Sequence, residues 1–109
     1  DYDLVITGDL GHVGHKIARD LFIKHGFKIP DGVFQDCGKL IYGTHPTFFS
    51  GGSGAACSSV VTYSYVVNQL KSGKLKKVLF AATGALFSPL SYQQNESIPC
   101  ICHAVVMEA

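Results

Sequence analysis

The chain has 109 residues, which is enough for a single domain, 1–109, with one modest hydrophobic core. Hydrophobic residues make up 47% of it and charged residues 16%, which excludes an intrinsically disordered chain. The net charge is only +1, and the lysine cluster KSGKLKK (71–77) has no interleaved aromatic residues, so no nucleic-acid partner is expected. No apolar run approaches the roughly 20 residues that span a bilayer.

The first half of the chain predicts a strand, a helix and a second strand. Residues 2–7 (YDLVIT) read as a buried strand, and Asp9 can cap a helix whose apolar stripe ends at Gly26. Residues 27–36 read as irregular because they contain a proline and a glycine. A short strand is predicted at 39–43 (KLIYG).

The second half predicts a helix followed by two strands. The helix, 55–71, is apolar on nearly every side, which is typical of a helix buried on both sides. Residues 76–84 (KKVLFAATG) form a continuous apolar strand of the kind that is covered on both faces. A polar excursion, 88–99, leads into a last strand around 103–109. Alternating strands and helices indicate an α/β layered unit.

The four cysteines, Cys37, Cys57, Cys100 and Cys102, contain no CxxC pair and show no metal-binding spacing. Reduced thiols in a cytosol-like compartment are therefore expected. Cys100 and Cys102 are expected to face opposite sides of an extended segment. The chain starts at Asp1, without a methionine and close to a strand, which suggests a piece of a longer protein.

A glycine-rich turn, with Gly8, Gly11 and Gly14, joins the first strand to the first helix, as in dinucleotide-binding proteins. Asp36, 22 residues beyond Gly14, even falls near the distance of a ribose-binding acid. The spacing, however, is GxxGxxG rather than GxGxxG, and Asp9 would place a carboxylate inside the phosphate cradle. A turn that serves backbone geometry and helix packing is favoured, and a nucleotide-binding oxidoreductase remains an alternative.

Four segments carry a resemblance to a known family: DLVITGDLGHVGHKIARDL, GGSGAACSSVVTY, LKSGKLKKVLFAATGALFSPLSYQQNESIP and HAVVMEA. Together they resemble the C-terminal part of the stage V sporulation protein AD family, within the thiolase-like superfamily. The resemblance implies a thiolase-like C-terminal half, here a βαβαββ fragment of a mixed sheet with one buried helix. In the family strand order 3-2-1-4-5 the chain lacks the first strand. Strands near 3–7 and 77–83 are therefore expected in one sheet without direct pairing.

The resemblance implies a non-catalytic ligand-binding domain, because the superfamily's catalytic cysteine belongs to the other half. The resemblance places a catalytic histidine of the superfamily's enzymes at the position of Gly8, beside Asp9. A second polar catalytic residue of those enzymes has only a partial counterpart here, His45. The family implies binding of dipicolinic acid (pyridine-2,6-dicarboxylate), with or without calcium, for transport across the spore inner membrane. A thiolase-like acyltransferase or condensing enzyme is the alternative.

The same resemblance implies an intracellular protein, peripheral at that membrane, in a spore-forming bacterium. Its expected partners are the remaining thiolase-like half of the same protein and membrane sporulation-channel proteins, with no cofactor and no resident metal.

Six residues are expected to line the dicarboxylate pocket. A flat dianion favours backbone N–H groups at a helix N-terminus and hydroxyl or histidine donors. The candidates are Gly52, Ser53, Gly54, His103, Asp9 and His45. Ser53 can equally be a plain helix cap, and His103 can be a structural histidine.

Overall fold

The fold is a four-stranded mixed sheet with helices packed on it, described for residues 1–109 in a computed structural model. The strands are β1 (Leu4–Thr7), β2 (Phe34–Asp36), β3 (Lys77–Ala85) and β4 (Cys100–Glu108). Their order is β2-β1-β3-β4, with β1 parallel to both neighbours and β4 antiparallel to β3. The predicted α/β class with a mixed sheet is confirmed.

Five helices and one π-helical turn connect the strands. They are α1 (Gly11–Lys24), α2 (Cys37–Tyr42), α3 (Cys57–Val61), the π-helical turn (Thr62–Val66), α4 (Val67–Lys71) and α5 (Pro89–Gln93). Helix α1 crosses over from β1 to its parallel neighbour β2. The segment 57–71 is one continuous helical rod made of α3, the π-helical turn and α4, and it leads towards β3.

The two central strands pair directly, contrary to the expectation of a gap between them. Leu4 of β1 lies opposite Val78 of β3, and the parallel register continues to Thr7 opposite Ala81. The expectation depended on a further strand between the two, and the chain forms none there. Buried backbone N–H and C=O groups must find partners, so the facing edges of β1 and β3 satisfy each other.

The strand predicted at 39–43 is wrong, because these residues belong mostly to the helix α2. The second strand lies earlier, at Phe34–Asp36, in the stretch that was predicted to be irregular. Asp36 has extended backbone, and its side chain accepts a hydrogen bond from Lys39 N, which caps the helix. A short apolar run such as LIY is compatible with the periodicity of a strand and of a helix, and the Asp36 cap favours the helix.

The helical rod 57–71 packs one side onto the sheet. Its buried residues Cys57, Val61 and Val66 join the core cluster with residues of β1 and β3. Val61 and Val66 are five residues apart, and the π-helical turn brings both to the core because its bonds run from i to i+5. The opposite side, with Tyr63 at 76% exposure, is uncovered in this chain, unlike the predicted burial on both sides.

Much apolar surface is left open, since only 16 of 109 residues are buried. Strand β3 buries Val78 and Phe80 on one face and is not covered on both faces as predicted. Edge strand β4 is exposed along nearly its whole length, with only Met107 half-buried. The excursion 88–99 also projects apolar side chains into solvent. Apolar surface of this extent is typical of an interaction face.

Candidate functional site

The start of α1 binds a carboxylate of the chain itself. The fully buried Asp36 side chain accepts hydrogen bonds from Leu10 N (2.8 Å), Gly11 N (3.0 Å) and the Thr7 hydroxyl (2.5 Å). The next amide, His12 N, donates to Ser50 O at 2.7 Å. The turn therefore offers no free N–H group to a pyrophosphate, and Asp36 is no ribose ligand. Both findings support the structural interpretation of the glycine turn.

A cavity of about 720 Å³ opens at the carboxyl ends of β1 and β3. Open α/β sheets bind their ligands at this end of the strands. The walls come from the turn after β1, the segment before and into α3, and the β3–β4 hairpin. The lining residues are Asp9, Leu10, Ser53, Gly54, Ala55, Ser58, Thr83, Gly84, Ala85, Phe87, Cys100, Ile101 and Cys102. This cavity is the candidate functional site.

Asp9, Ser53 and Thr83 form the polar centre of this cavity. Ser53 Oγ donates to Asp9 Oδ2 at 2.6 Å, and Thr83 Oγ1 donates to Asp9 Oδ1 at 3.5 Å. Thr83 Oγ1 also accepts from Asp9 N at 3.2 Å. A β-carbon at Gly8 would lie 2.8 Å from Thr83 Oγ1, so glycine is needed for this approach. Two hydroxyl side chains that are far from Asp9 in sequence thus contact its carboxylate.

The electrostatics of the cavity are set by that carboxylate. Asp9 is the one acidic residue of the lining, and no lysine, arginine or histidine lines it. The hydroxyl protons of Ser53 and Thr83 are directed at Asp9, so the wall presents mainly oxygen lone pairs. Oxygen ligands of this kind suit hard cations such as Ca²⁺ better than a free anion.

Two exposed thiols lie on the same wall. Cys100 is opposite Ala85 in the β3–β4 ladder and Cys102 is opposite Thr83. The expectation that they face opposite sides is wrong, because side chains two residues apart share a face of a strand. The other two thiols are buried: burial raises the pKa of Cys37 to about 12, and burial also raises the pKa of Cys57. Both are therefore held protonated.

The structure brings together three of the six predicted site residues. Asp9, Ser53 and Gly54 line the cavity. Gly52 instead packs against the ring of Tyr42, where a β-carbon would clash.

The two predicted histidines lie elsewhere. His103 is opposite Ala82, on the face of β4 that Cys102 does not share, and it does not line the cavity. His45 is exposed, contacts Thr47 at 2.7 Å and belongs to a separate small cavity. The predicted convergence of His103 with Ser53 is therefore not observed, because His103 lies beyond Cys102, the last residue of β4 to line the cavity.

Sequence reasoning missed Thr83, Phe87 and the two thiols as lining residues. Thr83 had a usable signal, since a polar side chain at the end of an apolar strand lies where ligands bind in α/β sheets. Phe87 follows the same strand, and no pattern separates it from an ordinary apolar residue. No group of three or more His, Cys, Asp or Glu side chains is arranged to hold a metal ion. None of the helices has the length and apolar character needed to cross a membrane.

Comparison with known proteins gives two concordant findings. A family model described as stage V sporulation protein AD (SpoVAD) matches residues 1–108. The stage V sporulation protein AD of Bacillus subtilis (strain 168) is 51% identical over 108 residues. That alignment covers 99% of this chain and 32% of the relative, so the chain spans about a third of the relative's length.

Proposed function

The chain belongs to the stage V sporulation protein AD family, and from this premise we propose that it forms part of a binding site for dipicolinic acid. The protein would hold this ligand during its movement across the spore inner membrane. The observation that carries the proposal is the polar centre of Asp9, Ser53 and Thr83 in a cavity at the carboxyl ends of the central strands. The thiolase-like architecture and a peripheral position at that membrane are parts of the same proposal.

Calcium enters the proposal through the charge of the wall. A dicarboxylate facing Asp9 experiences repulsion that no cationic side chain of this lining offsets. The balancing charge must come from calcium carried with the ligand or from cationic groups outside this chain. In the first case, Asp9 and the Ser53 and Thr83 hydroxyls supply oxygen atoms to the calcium side of the chelate. Calcium is here a part of the cargo.

The rest of the protein is the proposed partner of the exposed apolar surface. The relative is about three times as long as this chain. The uncovered side of the rod 57–71, with Tyr63 and Tyr65, offers apolar contact area without a lysine or arginine before Lys71. Membrane sporulation-channel proteins remain proposed partners of the assembled protein.

Isothermal titration of the full-length protein with dipicolinate tests the proposal. Saturable binding is expected, and isophthalate, which has the same two carboxylates but no ring nitrogen to chelate calcium, serves as the control ligand. Titrations with and without calcium separate the two sources of balancing charge. If calcium carries it, affinity falls when calcium is chelated away; if other residues carry it, affinity is unchanged. Absence of saturable binding under both conditions contradicts the proposal.

A thiolase-like acyltransferase is the second candidate, and one observation favours it. The thiols of Cys100 and Cys102 share the cavity with the Asp9–Ser53 pair, so a nucleophile and an acceptor for its proton lie in one space. No histidine lines this cavity, which weakens the candidate. Incubation of the full-length protein with an acyl-CoA followed by intact-mass analysis decides: an acyl adduct on either cysteine supports transfer, and an unchanged mass opposes it.

A further inference from the structure

Phe87 is the one aromatic residue among the thirteen that line the cavity. Its side chain is 80% exposed, so the ring is not packed into the core of its own chain. An exposed phenyl ring beside a polar centre leaves a ring face free to contact a ligand. The contacts of the Asp9, Ser53 and Thr83 centre do not involve this ring.

The backbone holds Phe87 at a defined place. The β3–β4 ladder ends at Ala85 opposite Cys100, and Leu86 N still donates to Pro99 O at 3.0 Å. Directly after Phe87, Ser88 has extended backbone and precedes Pro89, the first residue of α5. Phe87 is thus fixed between the end of a hairpin and the start of a helix.

Several residues that line the cavity have small side chains or none. They are Gly54, Ala55, Gly84 and Ala85. From Thr83 to Phe87 the chain advances four residues, which at about 3.3 Å per residue is at most about 13 Å. A span of this size suits a ligand made of one flat ring bearing two carboxylates.

We propose that Phe87 is a specificity-determining residue that stacks on the aromatic ring of the ligand while the Asp9, Ser53 and Thr83 centre receives its carboxylate–calcium end. This inference rests on the proposed function and deepens it, because it assigns the preference for an aromatic ring to a named side chain. Offset stacking of aromatic rings stabilises a pair beyond the apolar area that it buries. A saturated ring with the same two carboxylates gains no such contribution.

The test compares two ligands on three variants of the full-length protein. The ligands are dipicolinate and its saturated analogue cis-piperidine-2,6-dicarboxylate. The saturated ring nitrogen is protonated at neutral pH, so the affinity of each ligand for a variant is compared with the affinity of the same ligand for the wild type. Phe87→Leu removes the ring and keeps an apolar side chain, and Phe87→Tyr keeps the ring. Phe49→Leu is the matched control, because Phe49 is 93% exposed and lines a separate cavity that Phe87 does not share. Thermal unfolding of each variant shows whether the fold is retained.

The expected result is a loss of about three- to tenfold in dipicolinate affinity for Phe87→Leu. Phe87→Tyr and Phe49→Leu bind dipicolinate within twofold of the wild type. The saturated ligand binds the wild type and Phe87→Leu equally weakly. Two results overturn the role of Phe87 alone: unchanged dipicolinate binding by Phe87→Leu, or an equal loss for both ligands. A wild-type protein that binds no dipicolinate removes the proposed function, and this role with it.

Discussion

The carboxylate of Asp36 lies 3.0 Å from the backbone N–H of Gly11, at the start of α1, and is wholly shielded from solvent. This contact joins the end of β2 to the turn after β1. The same carboxylate also accepts from Leu10 N and Lys39 N, so one buried charge orders the turn that carries Asp9 and the helix that follows β2. An ionised side chain in this position is stabilised because hydrogen bonds to its charge replace water.

Replacing this buried charge should therefore destabilise the fold. Asp36→Asn removes the charge and turns an amide NH₂ group towards backbone donors, so the free energy of unfolding should fall by at least about 2 kcal/mol. Urea unfolding followed by circular dichroism measures it. Asp20→Asn is the control, since Asp20 makes only an exposed ion pair with Lys16, worth about 0.3–0.5 kcal/mol. Equal effects of the two substitutions would contradict the assigned role of Asp36.

Gly52 should be required for packing and not for ligand contact. A β-carbon there would overlap the ring of Tyr42, so Gly52→Ala should cost about 1–3 kcal/mol of stability through overpacking. Gly32→Ala is the control, because nothing lies within 4 Å of the corresponding β-carbon. Chemical denaturation of both variants makes the comparison. A fully stable Gly52→Ala protein that no longer binds dipicolinate would favour the original prediction of a ligand role.

His15 should make stability depend on pH. The buried ring stacks on Phe34 at 4.3 Å, its Nε2–H donates to Phe34 O, and its Nδ1 accepts from Lys39 Nζ at 3.2 Å. Burial lowers the pKa of His15 below its ordinary value of 6.5, and the charge of Lys39 acts in the same direction. Below that value the unfolded chain binds a proton that the folded chain resists, so stability is lost as the pH falls.

The measurement is the free energy of unfolding between pH 7 and pH 5. The wild type should lose more stability over this range than His15→Gln, whose neutral side chain does not titrate. The other four histidines are common to both proteins and cancel in the difference. Parallel pH profiles of the two proteins would show that His15 titrates as it does in the unfolded chain.

The uncovered side of the rod 57–71 should be buried in the full-length protein. Tyr63→Lys would then place a charge against apolar atoms and lower the melting temperature by several degrees. On a side chain that stays exposed, the same substitution should change the free energy of unfolding by less than about 0.5 kcal/mol. Ser72→Lys, at the exposed residue directly after the rod, is the control. A melting temperature equal to that of the control would contradict this burial.

The parts of the fold that were predicted correctly have long and unambiguous patterns. The strands β1 and β3 and the helix α1 follow from apolar runs and from i, i+4 spacing, which depend on local sequence alone. The error at α2 arose because the Asp36 cap depends on a tertiary position. The direct pairing of β1 with β3 likewise depends on which strand edges are available, and periodicity carries no information about them.

The candidate site was predicted in part for a similar reason. Asp9 and Ser53 were singled out partly as helix caps, and neither caps a helix, since α1 follows Leu10 and α3 follows Ala56 without a side-chain cap. Their side chains instead bond each other at 2.6 Å. The position of Thr83 beside Asp9 depends on the parallel register that aligns the ends of β1 and β3, and local sequence does not show that register. The position of His103 outside the cavity follows from the β3–β4 register, which places it opposite Ala82, and local sequence does not determine that register.

The most direct test of the central claim is a dipicolinate titration of the full-length Ser53→Ala/Thr83→Val double variant beside the wild type. These substitutions remove the two hydroxyls around Asp9 and leave the side-chain volumes nearly unchanged. Thr83→Val also removes the acceptor of Asp9 N, so thermal unfolding is measured beside the titration. Each substitution removes one oxygen contact to the charged end of the ligand, which we take to be worth about as much as a hydrogen bond to a charged group, about 1.5–3 kcal/mol. The dissociation constant should therefore rise at least tenfold. His103→Ala, outside the cavity, should bind as the wild type does. Wild-type affinity in the double variant would contradict the claim and place the ligand elsewhere in the protein.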